Sequence, residues 1–251
     1  EGRTIAHANS SDTKVPKRRR MVPSKPHKHD DSDFELFEPN RHDGDLDPSP
    51  FVVRVAEWIL KVIEFHSLLS TNEIIGLLGG IVKENEKVIE VTNVFPCVAS
   101  DATGIECEMD PLSEMQACEY FEEHSVSLIG WYHSHPTFAA NPSKRDIDTQ
   151  TMYQTVFTGG FVGLIVRPCD PPSWSCFHVH HGLPYHIDIT RSCLQGNIHE
   201  KEYLQMLSRA VTPLSSLTVD DRTYKRLVAL APNDQYRRLL ASLRGEIDVE
   251  L

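Results

Sequence analysis

The stretch Gly130-Trp131-Tyr132-His133-Ser134-His135-Pro136 constrains this chain more than any other. Val126 to Tyr132 reads as a strand, and two histidines follow at i and i+2. An extended backbone projects side chains with that spacing to the same side, so both imidazoles can meet one metal ion. A helix is expected from Ser143 to about Phe157, with Ser143 as its cap and Asp146 in its first turn, eleven residues after His135. The fold must then bring a strand end against a helix start. Two His, one carboxylate and an open position form a catalytic zinc site, whereas a closed structural site wants a fourth protein ligand, often Cys. Taken singly these signals are weak. Most H-x-H pairs only pack, and S-x-x-D is an ordinary helix start; it is their co-occurrence across a seven-residue gap, Pro136 to Pro142, that carries the reading.

Around this block the chain alternates strand and helix patterns. Phe51 to Leu69 has apolar residues near helical spacing (Val52, Val55, Ile59, Val62, Ile63), and reads as one helix. Glu73 to Gly80 reads as a buried strand ending in a glycine turn, and Lys87 to Phe95 as a second strand. Asp110-Pro111 opens a helix to about Glu123, and residues 160–166 and 174–181 read as two further strands. Beyond about Glu200 come three amphipathic stretches, broken near Pro213 and Pro232, expected to pack as helices on the side of the domain. The fold class is α/β or α+β, with a disordered linker over 1–49, a catalytic domain over 50–190 and a helical extension over 191–251.

The first fifty residues are rich in Pro, Asp, Ser and Lys and poor in large apolar groups. Their basic run, Pro16-Lys17-Arg18-Arg19-Arg20, fits a nuclear-import signal or a solvated linker equally well. Phe34, Leu36 and Phe37 are candidates to dock on the domain that follows. The six cysteines are scattered without a C-x-x-C pair, which argues against both a zinc-finger module and a disulfide-dense scaffold and suits the nucleus or cytoplasm. No run of eighteen apolar residues is present, so no membrane partner is expected. Residues 51–251 hold sixteen Lys and Arg against twenty-six Asp and Glu, a net charge of −10. Such a domain is a poor direct binder of nucleic acid, because phosphate neutralisation needs clustered Lys and Arg.

The pattern His133-Ser134-His135, seven residues, then Ser143-Lys144-Arg145-Asp146 resembles the JAMM motif of the MPN+ metalloproteases, over roughly residues 51–190. The upstream glutamate of that motif matches Glu73, in Glu-Ile-Ile-Gly-Leu-Leu. Cys107-Glu108-Met109-Asp110-Pro111 and Pro142 to Gln150 are similar to a histone-directed branch of the family that also carries Myb-like and SWIRM domains, neither recognisable in residues 1–50.

The resemblance implies an MPN/JAMM fold, a mixed curled sheet flanked by helices. It implies one catalytic Zn2+ held by His133, His135 and Asp146, with Glu73 as general base and Ser143 as donor to the oxyanion. The implied reaction is hydrolysis of the isopeptide bond between ubiquitin and a lysine, on a nucleosomal histone, with complex subunits as further partners. The alternatives are cleavage of polyubiquitin or of another ubiquitin-like modifier, or an inert MPN scaffold; the scaffold reading is disfavoured because every motif position is filled. Ser134 is assigned local packing or hydrogen bonding and no catalytic role, and Trp131 and Tyr132 read as core and groove wall. Cys176, His178 and His180 share one strand face, where an ordinary polar face is preferred over a second zinc.

Overall fold

The computed structural model describes residues 35–42, 49–105, 107–192 and 198–246. The basic run Lys17 to Arg20 and Phe34 lie outside the described residues.

The expected single helix from Phe51 is two elements. Strand β1 (Val52–Ala56) comes first, and helix α1 (Glu57–Leu68) follows directly. Val53 and Val55 are buried while Val52 and Arg54 are exposed, which is a period of two and not of 3.6. Helix α1 buries Ile59, Val62, Ile63 and Phe65 completely. At about 1.5–3 kcal/mol for each such side chain, this face anchors the core.

Strand β2 (Ile75–Lys83) runs straight through the glycine pair that the sequence suggested as a turn. The turn lies later, at Glu84–Glu86, with Lys87 in the left-handed region. Gly80 serves close approach: a Cβ there would sit 1.9 Å from the Glu90 carbonyl oxygen, at a shift in strand register. Strand β3 (Val88–Cys97) pairs antiparallel with β2. A two-stranded arm of β4 (Ala99–Ala102) and β5 (Cys107–Met109) follows. Asp110 caps helix α2 (Pro111–Glu123), its carboxylate accepting from the Ser113 amide at 2.8 Å.

Strand β6 (Ser127–Ser134) leads to helix α3 (Lys144–Val156), and β7 (Val162–Arg167) lies parallel to β6. Strands β8 (Ser173–His180), β9 (Leu183–His186) and β10 (Ile189–Ser192) complete an eight-stranded mixed sheet in the order β10-β1-β3-β2-β6-β7-β8-β9. The sheet is curled as a half-barrel and flanked by helices, as in the MPN/JAMM fold.

Three further helices follow: α4 (Ile198–Val211), α5 (Asp221–Leu230) and α6 (Asp234–Leu243). The Arg209 guanidinium lies 3.7 Å over the Phe95 ring and donates to the Pro96 carbonyl. Arg226 pairs with Glu64 of α1 at 2.7 Å. Residues 36–42 run along the other side as a strap. The Phe37 amide donates to the Pro142 carbonyl, the Asn40 amide donates to Pro184, and the His186 amide returns to the Asn40 carbonyl. Leu36 bridges Ser143, and Phe37 packs against the core, as the sequence suggested for these two residues.

Candidate metal centre

The central strands set the site. β2 and β6 pair so that Ile75 lies opposite His133, which carries the segment Glu73-Ile74 to the end of β6. Ser134 then locks the two together: its hydroxyl accepts from the Ile74 amide at 3.0 Å, and its own amide donates to the Ile74 carbonyl at 3.1 Å. The residue between the two histidines therefore positions Glu73. On the other flank the Glu73 amide donates to the Thr103 carbonyl beside the arm. The third element is the start of α3, where Ser143 and Asp146 form a reciprocal capping box. The cap and the ligand geometry coexist. The Ser143 hydroxyl and amide both donate to Asp146 Oδ2 at 2.7 Å, leaving Oδ1 at 3.2 Å from His133 Nε2.

His133 Nε2 and His135 Nε2 are 3.0 Å apart, and the two imidazoles and the Asp146 carboxylate converge within 4.8 Å. His135 Nδ1 donates to the Ala139 carbonyl at 2.8 Å, which fixes its tautomer and turns Nε2 inward as a lone-pair donor. Glu73 Oε1 stands just outside this trio, 3.8 Å from His135 Nε2. All four side chains are nearly or wholly buried. Two carboxylates and two imidazoles in so dry a space carry a large desolvation cost, which a divalent cation offsets. The residues present can coordinate a metal.

Electrostatics follow from that crowding. Burial pushes the Asp146 carboxyl up, but His133 and His135 more than reverse this and hold it well below the usual carboxylate range. Burial also works against a charged His133, yet Asp146 and Glu73 carry that imidazole above its ordinary value. At His135 burial prevails, and its imidazole is held down. Burial drives the Cys107 thiol of the arm well up, and the carboxylates of Glu73 and Asp146 add to it, so this sulfur stays protonated.

Among the described residues, this trio is the one group of three or more such side chains placed to hold an ion. Cys176, His178 and His180 do not form another. Cys176 is buried with its thiol pushed up to about 12, His178 Nε2 contacts His42 Nε2 at 2.9 Å, and His180 lies against His181 on the surface.

One supporting pair carried no sequence signal beyond its position. His133 Nδ1 is buried and has no hydrogen-bond partner among the described residues, so the usual clamp on a ligand imidazole is missing there. The ring is instead stacked on Trp131, with centroids 4.7 Å apart and planes 13° from parallel. Trp131 is itself pinned through its indole N–H to Gln150 Oε1 of α3 at 2.8 Å. Trp131→Leu should weaken zinc affinity by about tenfold or more in a chelator competition, with Trp131→Phe intermediate. Unchanged affinity in Trp131→Leu would show that stacking does not orient His133.

The family described as JAB1/Mov34/MPN/PAD-1 ubiquitin protease matches residues 52–158, a stretch that contains Glu73 and the whole ligand block. This stretch is an MPN/JAB domain. Residues of the chain are 48% identical over 124 positions to the histone deubiquitinase MYSM1 of Branchiostoma floridae, covering 48% of this chain and 15% of that protein. They are 42% identical over 196 positions to the deubiquitinase MYSM1 of Homo sapiens, covering 74% of this chain and 22% of that protein. An MPN domain-containing protein of Homo sapiens is 36% identical over 125 positions, covering 49% of this chain and 26% of that protein. The MPN/JAB domain here is thus closely related to those of the MYSM1 type, although the chain spans only a fraction of their length.

Proposed function

We propose that this chain is a zinc-dependent isopeptidase that removes ubiquitin from a lysine side chain of a nucleosomal histone. The observation that carries the reading is the buried set of Glu73 beside His133, His135 and Asp146, the last three placed to hold an ion with no fourth such side chain among the described residues. An inert scaffold has no need of that arrangement. A zinc ion held by His133, His135 and Asp146 would supply a Lewis acid that polarises the scissile carbonyl and lowers the pKa of water toward neutrality.

The remaining work belongs to the chain. Glu73, held at both its own amide and that of Ile74, takes the proton from the attacking water and passes it to the departing lysine amine. Ser143 is assigned the hydroxyl that donates to the developing oxyanion, a bond it exchanges for its present one to Asp146. The arm and the start of α2 expose Val98, Ile105, Leu112 and Met115, each more than 40% accessible, an apolar surface suited to a protein substrate.

A histone as the target rests on the Branchiostoma floridae relative, whose name states that activity, and nuclear residence follows from that target. No helix among the described residues is long and apolar enough to cross a membrane. Residues 51–251, with net charge −10, are repelled by DNA, so affinity for chromatin comes from outside the MPN/JAB domain. The chain should cleave ubiquitinated nucleosomes slowly, and a longer chain carrying DNA-binding domains much faster, in time courses at matched zinc content and salt. Rapid cleavage of free diubiquitin with none on nucleosomes would replace this target with polyubiquitin.

A further inference from the structure

We propose that Arg209, on helix α4 of the C-terminal extension, is a positioning residue for Glu73 and acts through the arm. The kinetic half of this inference rests on the isopeptidase reading above. The arm springs from the end of β3 and returns at the start of α2. Its base is closed by two bonds: the Asp110 amide donates to the Val98 carbonyl at 2.9 Å, and the Val98 amide donates to the Ser113 hydroxyl at 2.9 Å. Arg209 grips just outside that base on both sides. Its Nε donates to the Pro96 carbonyl at 3.0 Å, and its Nη2 donates to Gln116 Oε1 of α2 at 2.6 Å. One side chain thus ties the last residues of β3 to the second turn of α2.

Space-filling does not account for this residue. Arg209 is half-buried and has no carboxylate partner among the described residues, so a charged group leaves water in part for neutral acceptors. An apolar side chain would cover the Phe95 ring without that cost. What a guanidinium alone supplies here is a planar fork of donors. It reaches a backbone carbonyl and a second element at once, while its charge lies 3.7 Å over the ring.

The arm in turn holds the segment that carries Glu73. The Asn72 side-chain amide donates to the Ala102 carbonyl at 3.1 Å, and the Glu73 amide donates to the Thr103 carbonyl at 2.8 Å. Strand β3 adds a second route, since Pro96 lies opposite Gly76 and Cys97 opposite Ile75. A shift at Pro96 is therefore felt within three residues of Glu73. His133, His135 and Asp146 are placed otherwise, by β6, the loop after it and the start of α3. Loss of the Arg209 fork should then displace Glu73 and spare the ion. Misplacing a reacting group by about 1 Å costs up to about a hundredfold in rate, so even a partial loosening is measurable.

The test compares zinc-loaded wild type with Arg209→Gln and with Arg226→Gln, which cuts the same extension from Glu64 of α1. Amide hydrogen exchange is followed at Glu73 and Asp110, whose bonds lie at the far end and the base of the arm, and at Ile74, which is bonded to Ser134. In Arg209→Gln the Glu73 and Asp110 amides should exchange about tenfold faster, with Ile74 and the zinc content unchanged. The kcat for release of ubiquitin from a lysine-linked substrate should fall about tenfold, with KM within about twofold of wild type. Arg209→Lys, with one donor left for Pro96, should lie between on both readouts, and it carries the comparison if Arg209→Gln does not fold. Arg226→Gln should lower the melting temperature and leave exchange and kcat alone. Unchanged Glu73 exchange overturns the proposal, as does faster exchange with no fall in kcat, or equal effects from Arg226→Gln. A wild-type chain that cleaves nothing overturns the isopeptidase reading instead, and faster Glu73 exchange in the variant then still supports the clamp.

Discussion

Glu73→Gln is expected to fold and to bind zinc like the wild-type chain, yet to cleave isopeptide-linked ubiquitin at least about a hundredfold more slowly. The substitution keeps the volume and removes only the basicity. Glu73 stands at the edge of the trio without belonging to it, with Oε1 3.8 Å from His135 Nε2, and its proposed role is that of proton acceptor. Its backbone is held from both sides, by Thr103 and through Ile74 by Ser134, so the amide should occupy the same position. Loss of a positioned general base costs about 10²–10⁴-fold. Turnover within a few-fold of wild type would remove Glu73 from the mechanism.

His135→Ala acts one step earlier, on the metal itself. Three side chains are placed to hold an ion, and His135 is the one whose Nε2 is turned inward by a hydrogen bond from its other nitrogen to Ala139. Removing it leaves one imidazole and the Asp146 carboxylate, too few to retain zinc through purification. Metal analysis should find about one zinc per wild-type chain and less than about a tenth of that in the variant. The fold should survive, because β6 is held by β2 and β7 on its two sides. A His133→Ala, His135→Ala double variant that still carries stoichiometric zinc would show that the metal sits elsewhere.

How much of this was legible in the sequence depends on the range of the contacts involved. The ligand trio is local: a strand end, a short loop and a helix cap place His133, His135 and Asp146 within fourteen residues, and all three could be named from spacing alone. Glu73 is sixty residues from His133 and meets it only because Ile75 pairs with His133 across two strands, so nothing but its resemblance to the motif singled it out. Strand β1 was read as helix because Val52, Val55, Ile59 and Val62 continue the spacing of α1. Its strand character comes from parallel partners at residues 88–91 and 189–192, which no local window contains.

Gly79 and Gly80 looked like a turn because glycine signals both turns and close packing. Here the second applies, since a Cβ on Gly79 would meet the Phe121 ring at 2.6 Å. The arm, β9 and β10 are three or four residues each, too short to show alternation. Trp131 read as core or groove wall and Ser134 as packing or hydrogen-bonding locally, and each makes a contact that supports the site.

We propose that a metal ion held at His133, His135 and Asp146 powers isopeptide hydrolysis. It is tested most directly by following release of ubiquitin from a lysine-linked substrate, nucleosomal or diubiquitin, with the chain as purified, stripped by a chelator, and reloaded with zinc. The purified chain should cleave, lose at least about 99% of its rate on stripping, and recover when one equivalent of zinc is returned. Cleavage that persists at full rate in the stripped chain, or a fully loaded chain that cleaves neither class of substrate, would contradict it.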